Sequence, residues 1–112
     1  MSNFIDLAFI AAKLATLNNE KEKIVVDSVS FVYNVAQIAR LKSLVSEYAQ
    51  ICSCVIYQSQ LRGFYTQDEY NIVMQCKQHI EDCNREISKH GVMSLIDGIS
   101  LLVEGFSSLD KK

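Results

Sequence analysis

Proline is absent from the 112-residue sequence, and glycine occurs only four times. Tight turns draw heavily on these two residues, so a sandwich or barrel of many short strands is excluded in favour of helices. Positive charge in excess is missing as well: 11 basic residues stand against 13 acidic ones, a net charge of −2. Nucleic-acid binders carry a concentrated basic footprint, so no nucleic-acid partner is expected. No apolar run reaches the ~18 residues that a membrane span needs. The longest uncharged run, Tyr48–Leu61, contains Gln50, Ser53, Gln58, Ser59 and Gln60. The apolar stretch Phe4–Ala12 lacks a basic leader, contains Asp6 and runs into Lys13, so it reads as a helix and not as a secretion signal.

What is present is apolar substance. Hydrophobic residues make up 49% of the chain and charged residues 21%, enough for one core in a single domain spanning 1–112 and well outside the range of disorder. The four cysteines, Cys52, Cys54, Cys76 and Cys83, have spacings that fit helix faces. A domain of this size does not need crosslinks, so they read as free thiols in a reducing, cytoplasmic interior, behaving as small hydrophobes.

The fold expected is all-α: a four-helix, hairpin-based bundle with one long central helix. Asn3 and Asp6 can cap a first helix over about 4–17, and Asn18-Asn19 can break it. From Glu20 to Arg62 neither glycine nor proline occurs, which predicts a long second helix over about 20–62, continuous or kinked near 40–43. Its weakest stretch is Ile24–Val35, where Val25, Val29, Phe31, Tyr33 and Val35 also alternate as in a strand. Gly63 ends it. Thr66 and Glu69 form a capping box, with Tyr65 and Tyr70 as a hydrophobic staple, and open a third helix over about 67–90 whose stripe is Val73, Cys76, Ile80, Cys83 and Ile87. His90-Gly91 closes it. A fourth helix over about 93–106 should bury Leu95, Ile99, Leu102 and Phe106, leaving Ser107–Lys112 as a frayed tail.

Register sharpens this picture. In an antiparallel hairpin turning at residue 64, facing residues have numbers summing to about 128. Cys52 then meets Cys76, Val45 meets Cys83 and Val55 meets Val73, so apolar faces apolar at every level.

Chemistry is thinly represented. Arg85-Glu86-Ile87-Ser88-Lys89-His90 resembles the arginine–histidine motif of HEPN-type ribonucleases, small α-bundle proteins that act as dimers. The resemblance implies an alternative in which Arg85 and His90 bind and cleave an RNA phosphodiester, with the histidine in acid–base work. Glu86 departs from that motif by placing an acid where phosphate would lie. The plainer account is that His90 complements the helix dipole and Arg85 is solvated. Cys76, His79 and Cys83 do not make a zinc site: the two thiols are about 10.5 Å apart along a helix and lack the tight CxxC turn. Gly91, Gly98 and Gly105 recur at heptad spacing, which is a helix face and not a phosphate loop. Glu20-Lys21-Glu22-Lys23 reads as a solvated turn, and no carboxylate pair is spaced for catalysis. No cofactor, metal or small-molecule substrate is expected.

Between Ile24 and Leu61 only Asp27, Arg40, Lys42 and Glu47 carry charge, and well over half of the residues are apolar. A helix apolar on more than one face must be covered on more than one face. The expectation is therefore a non-enzymatic protein–protein interaction module, a small acidic chaperone, adaptor or inhibitor, that binds a partner protein, a second copy of itself, or both. Tyr57, Arg62 and Phe64 are the candidate contact residues, because interfaces concentrate aromatic side chains and arginine. The competing role for Phe64 is to tuck back onto Tyr57 and close the core.

Overall fold

A computed structural model of the chain describes residues 7–28, 35–89 and 98–111. In chain order the elements are α1 (Leu7–Ser28), α2 (Val35–Arg62), β1 (Phe64–Tyr65), α3 (Gln67–Ser88), α4 (Gly98–Ser107) and β2 (Asp110–Lys111). The architecture is the all-α, four-helix bundle that the composition implies, with α2 the longest helix. The expected caps at Asn3 and His90-Gly91, the strand-like alternation at Val29, Phe31 and Tyr33, and Met93 and Leu95 lie outside the described residues.

The α2–α3 hairpin follows the expected register. Val45, Cys52, Val55, Val73, Cys76 and Cys83 are all fully buried, and the Tyr48 ring stacks on His79 at 5.1 Å, within one residue of the level that the sum rule assigns. Thr66 accepts from the Glu69 backbone N–H while the Glu69 carboxylate accepts from Thr66 N–H, which is the reciprocal capping box. The staple rings of Tyr65 and Tyr70 lie 5.7 Å apart. Gly63 adopts φ +86°, a conformation that side chains with a Cβ rarely take, and its N–H closes onto the Ser59 carbonyl at 2.9 Å.

The continuous helix expected over 20–62 is not found. Residues 20–28 belong to α1, and α2 begins at Val35. The Tyr48 hydroxyl donates to Asn18 Oδ1 at 2.6 Å, although a straight helix would hold two residues thirty apart some 45 Å from each other. Helix α1 therefore lies antiparallel to α2 and is not its continuation. Asn18-Asn19 does not stop α1 because an asparagine costs a helix at most ~0.7 kcal/mol. Continuing the helix buries Ile24, worth ~1.5–3 kcal/mol, and gives the Asn18 side chain a partner.

Two smaller expectations are corrected at the C-terminal end. Helix α4 buries Ile99, Val103 and Phe106, whereas Leu102 is exposed. The rotation follows from Phe106, wedged 4.8 Å from Tyr65 and 6.4 Å from Tyr70, which brings Val103 and Ile99 inward on its own row. The tail is not frayed throughout: Asp110 and Lys111 pair in parallel with Phe64 and Tyr65, and Leu109 packs against the core. All four helices feed one hydrophobic cluster.

Candidate functional site

The turn that carries two of the three candidate contact residues is tied to itself. Arg62 lies over the Phe64 ring, 4.9 Å from its centroid, donates to the Phe64 carbonyl at 3.3 Å and pairs with the Glu69 carboxylate. Burial pushes the Glu69 carboxyl up, but the guanidinium and the Thr66 donors outweigh it and hold the group below the usual range. Arg62 is thus engaged inside the fold, closing the hairpin seven residues from its partner, and Phe64 is half-buried with β1 paired to β2.

Tyr57 stands apart from this. It is 62% exposed, and Leu61, one turn on, is 70% exposed. With Gln50 and Cys54, also exposed, they recur at intervals of four, three and four residues, so they share one stripe of α2. None of the four carries a charge. Helix α1 borders this face: Phe9, 68% exposed, joins Ile10, Lys13, Gln50, Ile51 and Cys54 around a shallow, mainly apolar groove. Helix α4 lies on the opposite flank, where Gly105 meets Gln60. Sequence reasoning reached Tyr57 but missed Leu61, Cys54 and Phe9; the spacing was readable on α2, whereas the position of Phe9 depends on how α1 folds back.

A second cluster joins α1 to the hairpin. The Lys21 ammonium donates to Asp82 Oδ2 and to His79 Nδ1, both at 2.8 Å, so Lys21 is partly buried and paired, unlike the solvated turn expected of residues 20–23. Burial first, and then the Lys21 charge, lower the His79 pKa; a neutral imidazole accepting from the ammonium fits both. Asp82 is also held low, because hydrogen bonds from Lys21 and Gln78 exceed the opposing effect of burial. Burial drives the Tyr48 hydroxyl above its ordinary range. These contacts clamp α1 onto α2 and α3.

Burial raises Cys52 and Cys83 to about 11 and Cys76 to about 12, which keeps these three as thiols and poor nucleophiles. Cys54 is the exposed one. Among the described residues no group of three histidine, cysteine or acidic side chains could hold a metal ion, and no helix is long and apolar enough to cross a membrane. Arg85 is exposed, with its guanidinium 3.4 Å from Asp82, and His90 lies outside the described residues. No family model, curated protein or solved structure matches the chain.

Proposed function

We propose that the chain is a non-enzymatic protein–protein interaction module of the cytoplasm, a small acidic chaperone, adaptor or inhibitor whose working surface is the open face of α2. The observation that carries this reading is the uncharged stripe Gln50–Cys54–Tyr57–Leu61 flanked by Phe9, with the three large apolar side chains each about two-thirds exposed. Solvent contact of this kind is unfavourable by ~25 cal/mol per Å² of apolar surface, and grouping the three on one face favours a docking surface over scattered exposure. Free cysteines throughout the described chain suit a reducing compartment. Arg62 and Phe64 support the site by fixing the end of α2, and Tyr57 is the anchor.

The test is affinity capture from the native host with a tagged chain, in the presence of untagged chain, followed by mass spectrometry. Tyr57→Asp and Leu61→Asp should each lose the captured protein, be it a foreign partner or the untagged copy, with the helical circular dichroism spectrum unchanged. Undiminished capture by both variants would overturn the reading.

A further inference from the structure

Resting on the reading of this face as an interaction surface, we infer that its occupant is a second copy of the chain, with the two α2 helices antiparallel and each copy's Tyr57 seated in the groove between Phe9 and Cys54 of the other. A two-fold contact requires one patch to carry both the projecting and the receiving element, and this stripe does. Tyr57 and Leu61 project at its C-terminal end, while the groove of Phe9, Ile10, Lys13, Gln50, Ile51 and Cys54 lies at its N-terminal end. Turning one helix end-for-end about the midpoint of the stripe, between Val55 and Ile56, matches both ends together. Cys54 then faces the partner's Tyr57, and Gln50 faces the partner's Leu61. Facing positions sum to 111, and spacings of three and four keep the seam continuous, as in paired helices.

Chemistry and area agree. The stripe is uncharged, so an antiparallel copy brings no like charges together along it. The one cation of the groove, Lys13, suits the electron-rich face of an arriving tyrosine ring. Taking ~200 Å² for a large side chain, Phe9, Tyr57 and Leu61 expose on the order of 400 Å² per copy. A specific interface buries ~800 Å² a side, somewhat more than half of it apolar, so these three residues supply most of that share.

Sedimentation velocity and thiol crosslinking of the full chain test the inference. At tens of micromolar, wild type should sediment as a dimer and Tyr57→Asp as a monomer that keeps the wild-type helical circular dichroism spectrum. A short bismaleimide should join two wild-type chains through Cys54, because the paired axes lie ~8–10 Å apart. Cys54→Ser should abolish the crosslink, because Cys54 is the exposed thiol among the described cysteines. A monomeric wild type, a dimer that survives Tyr57→Asp, or a dimer that does not crosslink would each overturn the second-copy arrangement. A monomeric wild type whose Tyr57→Asp variant loses a captured foreign protein would discard the second copy while keeping the interaction surface.

Discussion

One charged cluster closes the α2–α3 hairpin and another pins α1 to it, and the two were very differently visible in the sequence. Arg62–Glu69 spans seven residues across the turn and lies within a capping box that a pattern of four residues announces. Lys21–His79–Asp82 joins segments about sixty residues apart, and nothing in Glu20-Lys21-Glu22-Lys23 distinguishes it from a solvated turn. Local geometry writes itself into sequence because the residues that satisfy one another are neighbours. A long-range clamp is set by where another helix comes to lie.

The largest effect separating the two should come from the turn. Glu69 is almost fully buried, so Glu69→Ala leaves Arg62 facing a desolvated gap and also removes half of the capping box. A cost of ~2–3 kcal/mol is expected in urea denaturation, whereas Glu69→Gln, which can still accept from Thr66, should lose less. Equal losses for the two variants would show that the charge matters and the cap does not.

At the other cluster Lys21→Met should cost ~1–2 kcal/mol, since both partners are only partly screened by solvent and the methionine keeps the apolar stem. The loss should be confined to α1. Hydrogen exchange should quicken over Leu7–Ser28 and leave the protection of α3 near wild type, whereas Glu69→Ala should loosen α2 and α3 together. Uniform exchange changes in Lys21→Met would mean that α1 is no separate unit.

The same contrast accounts for what could be read beforehand. The third helix was readable almost residue by residue: Thr66, Glu69, Tyr65 and Tyr70 act locally, and the Val73–Ile87 stripe needs only its own period. The join between α1 and α2 was misplaced because Asn18-Asn19 is a weak stop without glycine or proline, and its outcome is decided by Ile24 burial and by Tyr48, thirty residues away. The turn of the α4 stripe from Leu102 to Val103 depends on the wedge of Phe106 between two tyrosines, and the Asp110–Lys111 pairing depends on β1. At the candidate site Tyr57 was legible from its type and position. Its groove was not, since Phe9 reaches Cys54 only once α1 has folded back along α2.

The smallest expected difference is one of pH, and among the described residues it belongs to the clamp in the mildly acidic range. His79 faces Lys21 and Glu22 from α1, Tyr48 from α2 and Asp82 on its own helix. Burial and the adjacent ammonium lower its pKa in the fold, against an ordinary value of about 6.5 in the unfolded chain. Between those two values the unfolded chain binds the extra proton, so stability is complete above about pH 6.5 and falls as pH drops through the folded pKa. Protonation also removes the lone pair that accepts from Lys21. Glu69 and Asp82, whose pKa values are lowered too, lose their contribution only further down, below the ordinary carboxylate range of about 4. Urea midpoints measured across mildly acidic pH should therefore decline in wild type and in Glu69→Gln. The decline should flatten in His79→Gln and be reduced in Lys21→Met, where burial alone remains to lower the imidazole. An undiminished slope in His79→Gln would assign the titration to another group and leave the clamp indifferent to pH.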